Sequence, residues 1–121
     1  MTRRILAIDD SPSMRMLLKT SLKAQGFAVD SAEDGVDGLA QARAAPPDLI
    51  ITDINMPRMD GFALIEAVRA DDGLRRLPVL VLSTEFSDDK KARARDAGAT
   101  GWITKPFDAD KLAAAIRRVC P

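Results

Sequence analysis

Asp48-Leu49-Ile50-Ile51-Thr52-Asp53-Ile54-Asn55-Met56-Pro57-Arg58-Met59-Asp60-Gly61 is the stretch that decides the fold. Leu49, Ile50 and Ile51 form a continuous apolar run, which suits a strand buried on both faces of a parallel sheet. Such a strand leaves little room for a charge, so Asp53, directly after the run, belongs at a mouth and not in the core. Open α/β sheets place their ligand crevice outside the carboxyl ends of the strands, which makes Asp53 the candidate centre of any chemistry. Met56-Pro57 and Asp60-Gly61 read as a loop whose end starts the next helix.

Working outward, Arg4 to Ile8 reads as a first buried strand with Asp9-Asp10 at its end. Ser11-Pro12 supplies an N-cap and a first-turn proline, and Met14, Leu17, Leu18 and Leu22 recur at helical spacing toward Gly26. Phe27 to Ala32 is more polar and fits an edge strand. Asp34-Gly35 begins a second helix, with Leu39 and Ala42, and Ala45-Pro46-Pro47 ends it. Beyond the Asp53 loop, Phe62, Ile65 and Val68 mark the inner face of a third helix, and Pro78 to Leu82 a fourth strand followed by Ser83 and Thr84.

The segment from about Ser87 to Ala97 has almost no large apolar residue among Lys90, Lys91, Arg93 and Arg95, so its helix packs weakly and should be mobile or serve as a contact surface. Gly98 to Gly101 closes it. Trp102-Ile103-Thr104 makes a fifth strand that runs into Lys105-Pro106. Asp108 starts a last helix with Leu112, Ile116 and Val119 inside and Arg117-Arg118 near its C-terminus, where the dipole favours positive charge.

Five strands alternating with five helices imply a doubly wound parallel sheet, and right-handed crossovers collect every strand's carboxyl end on one edge. That edge gathers Asp9, Asp10, Asp53, Ser83 with Thr84, and Lys105, from four strands. Each has an ordinary explanation alone: a helix N-terminal acid, a strand-end hydroxyl, a solvated lysine. Their convergence is much harder to explain that way.

Composition bounds the chemistry. The 121 residues suit one domain with a real core, and 46% hydrophobic with 30% charged residues are the proportions of a soluble globular chain. No apolar run is long enough to span a bilayer, and the start has no secretory signal, so no membrane association and a cytoplasmic location are expected. Cys120 is the single cysteine and histidine is absent. That excludes His-ligated zinc, Ser-His and Cys-His pairs and any phosphohistidine on this chain. Eighteen basic and eighteen acidic residues cancel, giving no broad footprint for nucleic acid.

Carboxylates about 5 Å apart repel by roughly 3 kcal/mol per pair at an effective dielectric near 20, so the acidic site needs a cation. Oxygen ligands with a phosphate select magnesium. A carboxylate beside that ion can attack phosphorus, giving an aspartyl phosphate, with Lys105 and Ser83 neutralising and binding the phosphoryl oxygens.

Asp9-Asp10, Asp53-Ile54-Asn55-Met56-Pro57 with Asp60-Gly61, Leu82-Ser83-Thr84, Gly98-Ala99 and Lys105-Pro106-Phe107 together make the chain resemble the receiver domains of two-component response regulators, among them the single-domain chemotaxis regulators, over essentially its whole length. The resemblance implies a flavodoxin-like five-stranded α/β sheet in the order 2-1-3-4-5, an order also known from that family. It implies Asp53 as phosphoacceptor, with Asp10, Asp53 and the Asn55 backbone carbonyl as Mg2+ ligands and Asp9 reaching the metal through water. Lys105 would bind the phosphoryl group, Ser83 would be the switch hydroxyl, and Asn55 and Glu85 would tune hydrolysis. Trp102 stands where the family usually has tyrosine or phenylalanine, and Lys105-Pro106 is expected to be cis. Thr84 beside Ser83 leaves the hydroxyl assignment open by one residue.

The function implied is a phosphorylation-activated switch: a single receiver domain over residues 1–121, with no output domain and expected to be a monomer. It would take its phosphoryl group from a histidine kinase in trans and change its helix 4, strand 5 and helix 5 face for a partner. It would not be an enzyme beyond its own phosphorylation and dephosphorylation. A chemotaxis regulator binding the flagellar motor switch is the leading role. A phosphorelay shuttle or sink, or a receiver cut from a longer regulator, are alternatives. A magnesium-dependent phosphatase of the haloacid dehalogenase type would need a second acid where this chain has Asn55.

Overall fold

A computed structural model describes residues 2–120, with Met1 and Pro121 outside the described residues. The elements in order are β1 (Arg4–Ile8), α1 (Pro12–Ala24), β2 (Ala28–Ala32), α2 (Gly35–Ala44), β3 (Leu49–Thr52), α3 (Gly61–Ala70), β4 (Val79–Ser83), α4 (Asp88–Ala97), β5 (Gly101–Thr104) and α5 (Ala109–Val119). The strands form one parallel sheet in the order β2-β1-β3-β4-β5. This is the doubly wound architecture expected from the alternating pattern.

The apolar runs of β1, β3 and β4 are continuous because each of these central strands feeds two cores. Ile5, Ala7, Leu49, Ile51, Leu80 and Leu82 face α1 and α5, joined by Leu18, Leu22, Leu112 and Ile116. Leu6, Ile8, Ile50, Val79 and Val81 face the other way, onto Leu39, Phe62, Leu64, Ile65 and Val68 of α2 and α3 and Ala94 of α4. Successive side chains of a strand point to opposite faces, so a strand covered on both sides loses its polar positions.

Register brings the strand ends level. Ile8 pairs with Thr52, Thr52 with Val81, and Ser83 with Thr104. Asp9, Asp53 and Lys105, each the residue after its strand, therefore lie along one edge.

The helix starts follow side-chain capping. Ser11, Asp34, Asp60, Ser87 and Asp108 each accept a backbone N–H from three residues on, at Met14, Asp37, Ala63, Lys90 and Lys111. One expectation fails in α1, where Leu17 stands 50% exposed while Leu18 and Leu22 are buried. Helical residues turn by about 100° each, so Leu17 leaves the narrow line of Met14, Leu18 and Leu22 that meets the sheet. Among the described residues no helix is long and apolar enough to cross a membrane.

Candidate functional site

The sheet ladder continues up to both central carboxylates. Asp9 N–H bonds Ala32 O at 3.1 Å and Asp53 N–H bonds Ile8 O at 3.0 Å. Backbone pairing thus fixes the two acids before their side chains make any contact. Asp9 is buried; one of its oxygens accepts Ser11 N–H at 2.9 Å and the other accepts Lys105 Nζ at 2.8 Å. Asp53 accepts Ile54 N–H at 2.7 Å on Oδ1 and the same Lys105 ammonium at 2.9 Å on Oδ2. Asp10 is exposed, and one carboxylate oxygen each from Asp9, Asp10 and Asp53 lies within 4.8 Å of the others.

Electrostatics explain what this arrangement attracts. Burial pulls the Lys105 pKa down, but hydrogen bonds and charge from Asp9 and Asp53 outweigh it and hold the ammonium above its ordinary 10.5. Lys105 is thus charged at neutral pH, and a single ammonium faces three carboxylates. The cluster has more acidic than basic side chains, and it opens to solvent where Asp10 lies. The donors are all oxygen, with no nitrogen or sulfur, and a hard divalent cation such as Mg2+ fits them. Asp9 and Asp53 each have both oxygens engaged by protein donors, and Asp10 meets solvent.

The second half of the site lies after β4. Ser83 is buried and its Oγ accepts Glu85 N–H at 3.2 Å, while Thr84 is exposed. Burial thus separates Ser83, the expected switch hydroxyl, from its neighbour Thr84. The Glu85 carboxylate pairs with Lys90 Nζ at 2.9 Å. The Lys90 hydrogen bond, then its charge, hold the Glu85 pKa below 4.5; a hydrogen bond with the Asn55 side chain adds to this, and the nearby Asp53 charge opposes it. The Glu85 carbonyl accepts Trp102 Nε1–H at 3.1 Å. Trp102 is half-buried against the core and walls a groove of about 220 Å³ shared with Lys91, Ala94, Arg95 and Ala99. The Lys105-Pro106 peptide is cis, as expected.

The structure brings together Asp9, Asp10, Asp53 and Lys105, and places Asn55, Ser83, Glu85 and Trp102 in a second linked set beside them. Sequence reasoning assigned Glu85 to hydrolysis alone and missed that its backbone carries the link from Ser83 to Trp102. No side-chain pattern signals a backbone carbonyl as a partner. It also missed the ion pair of Asp34 with Arg58, residues that are 24 positions apart and lie in two different loops.

The pattern of a response regulator receiver domain matches residues 5–117. The chain is 38% identical over 117 residues to chemotaxis protein CheY of Pseudomonas aeruginosa, covering 96% of this chain and 94% of that protein. It is 38% identical over 114 residues to the DNA-binding dual master transcriptional regulator RpaA of Synechocystis, covering 94% of this chain. There it spans about half the length of its relative, 47%. Among solved structures, chemotaxis protein CheY4 of Vibrio cholerae superposes with a TM-score of 0.93 at 41% identity, covering 98% of this chain and 99% of that one.

Proposed function

We propose, for a chain that belongs to the response regulator receiver domain family, that it is a signalling switch set by phosphorylation of Asp53. The observation that carries this reading is the Lys105 ammonium held between Asp53 and Asp9 within an oxygen-only acidic cluster. A carboxylate is a weak nucleophile in water; here it is fixed by Ile54 N–H and stands beside a cation positioned for the incoming phosphoryl oxygens.

In the proposed reaction an Asp53 oxygen attacks the phosphorus of a phosphohistidine on a donor kinase. The P–N bond breaks and the imidazole leaves, taking a proton from solvent. Mg2+, when bound by Asp10, Asp53 and the Asn55 carbonyl, supplies charge neutralisation on the transferring group. Lys105, within hydrogen-bond reach of Asp53, shares the phosphoryl charge. Water later attacks the phosphorus, the bond to Asp53 breaks, and inorganic phosphate leaves. Glu85 and Asn55 influence each other beside Asp53, and in this reading their side chains tune how freely water reaches the phosphorus.

Output follows from the second linked set. A phosphoryl oxygen offers the buried Ser83 hydroxyl a charge-assisted hydrogen bond worth about 1.5 to 3 kcal/mol, enough to shift a two-state equilibrium by roughly ten- to a hundredfold. Ser83 holds Glu85 N–H and the Glu85 carbonyl holds Trp102, so this shift reaches the α4, β5 and α5 face. Near-complete mutual coverage with two chemotaxis proteins favours a flagellar motor switch protein as the partner. A phosphorelay carrier is the competing role.

The test is incubation with a small acyl phosphate and Mg2+, followed by intact mass. The wild type should gain one phosphoryl group and Asp53→Asn none. Labelling of Asp53→Asn at the wild-type level would overturn the assignment.

A further inference from the structure

Arg58 is the one non-glycine residue with positive φ among the described residues, at 65°. Met59 N–H donates to Pro57 O at 2.7 Å, closing a three-residue turn across it. Turns of this hand are rare and strained for a residue with a Cβ, and they persist only where the surroundings over-determine them. The surroundings here are specific. Arg58 Nε and Nη2 reach the two oxygens of Asp34 at 2.6 and 3.0 Å, a bidentate fork. The Asp34 side chain is only 4% exposed and also caps α2 by accepting Asp37 N–H at 2.9 Å, so it cannot follow the loop if the loop moves. Beside it Gly35 N–H donates to Met59 O at 3.2 Å, and a Cβ at position 35 would run into that same carbonyl.

The other end of the loop is also closed. Gly61 N–H donates to Ile54 O at 2.8 Å, and a Cβ at Gly61 would collide with Asp53 O. The segment 54–61 is thus pinned at its base beside Asp53 and at its tip to the first turn of α2. Asn55 lies between the two pins. Burial does not hold it, because Asn55 and Arg58 are both exposed.

We infer that Arg58 is a positioning residue for the phosphoryl site: its fork onto Asp34 holds the loop after β3 in a strained turn, which aims the Asn55 carbonyl at the cation held by Asp10 and Asp53. This rests on the proposed function, in which that carbonyl is a magnesium ligand. Arg58 touches neither the cation nor Asp53. It acts by fixing the path of the backbone, as outer partners do when they orient ligands, and loss of such partners typically weakens metal binding by about ten- to a hundredfold.

The strain supplies a variant that separates positioning from simple support. Arg58→Gly removes the fork, and relief of the positive φ offsets part of the cost of leaving the Asp34 carboxylate without its guanidinium, so its thermal midpoint should fall only slightly. Mg2+ is titrated by calorimetry into wild type, Arg58→Gly, Arg58→Lys and Asp34→Asn, and phosphorylation by acyl phosphate is measured against Mg2+ concentration. The expected result is about tenfold weaker Mg2+ binding in Arg58→Gly and Asp34→Asn, with Arg58→Lys between them and wild type. Half-saturating Mg2+ should rise in proportion while the rate at saturating Mg2+ is retained.

Wild-type affinity in Arg58→Gly and Asp34→Asn would overturn the positioning role while leaving the proposed function standing. Loss of affinity that tracks loss of thermal midpoint across the set would overturn it in favour of plain structural support. Absence of Mg2+ binding in the wild type itself would instead overturn the proposed function, and this inference with it.

Discussion

α3 and α4 lie side by side on one face of the sheet and are each ten residues long, yet they are held by different forces. α3 buries Phe62, Leu64, Ile65 and Val68 with Gly61, whereas α4 buries Ala94 alone. What α4 lacks in apolar area it replaces with polar ties near its ends. At the N-terminal side Lys90 pairs with Glu85. At the C-terminal side Arg69 of α3 donates to Gly98 O at 3.0 Å, and to Arg75 O and Leu77 O at 3.0 and 2.6 Å. In between, Arg93 stacks on the Phe62 ring at 4.0 Å. A helix held this way can shift by exchanging a few hydrogen bonds, without opening a cavity in a close-packed core. The helix nearest Trp102 and Glu85 is therefore the one that is cheapest to move.

The sharpest way to break this contrast is to delete packing from each helix. Leu64→Ala should cost about 2 to 5 kcal/mol of unfolding free energy, while Ala94→Gly in α4 should cost about 1. Urea denaturation followed by Trp102 fluorescence measures both, and equal losses would show that α4 is packed as α3 is.

Arg69→Ala comes next, at about 2 kcal/mol, since it strands the part-buried carbonyls of Gly98 and Leu77, while the exposed Arg75 carbonyl turns to water. Burial already lowers the Arg69 pKa, a sign that the charge gives up solvation to serve these acceptors. Amide exchange should speed up at the C-terminal end of α4 and remain slow in the middle of α3. Uniform acceleration across both helices would mean that Arg69 supports the domain as a whole.

The smallest effect belongs to Lys90→Gln, and its signature is pH. The Glu85 carboxyl is depressed below its ordinary 4.5, first by the Lys90 hydrogen bond. A depressed acid contributes stability that is present above its unfolded value and lost as pH falls through the folded one. The wild-type advantage over Lys90→Gln should accordingly be complete above pH 4.5 and disappear below the folded Glu85 value. Carbon NMR of the Glu85 carboxyl should show its midpoint moving up toward 4.5 in the variant. An unmoved midpoint would remove the ion pair from the ties on α4.

The unequal helices also show what a sequence can convey. The weak packing of α4 was legible, because Lys90, Lys91, Arg93 and Arg95 leave no apolar stripe, and so were β1, β3 and β4, whose double-sided burial appears as unbroken apolar runs. Asp9, Asp53 and Lys105 were legible together because parallel topology brings strand ends to one edge. Leu17 was misread because helical spacing gives the apolar line but not how wide a strip the sheet covers. Ties made through backbone atoms left no trace: the Glu85 carbonyl under Trp102, the Gly98 carbonyl on Arg69. The Arg58 turn was hidden for a related reason, since nothing in Met56-Pro57-Arg58-Met59 marks a positive φ that glycine or asparagine would normally occupy.

The two bonds of the Lys105 ammonium join residues 96 and 52 positions apart along the chain. Contacts of such separation form late, because the entropy of closing the loop is spent before the contact returns anything. As the chain is synthesised, Asp9, Asp10 and Asp53 emerge well ahead of the lysine that completes them, and β5 can pair only with a β4 already in place. A nascent or partly unfolded molecule thus carries the acids without their ammonium, and the charge-balanced cluster exists only in the folded domain.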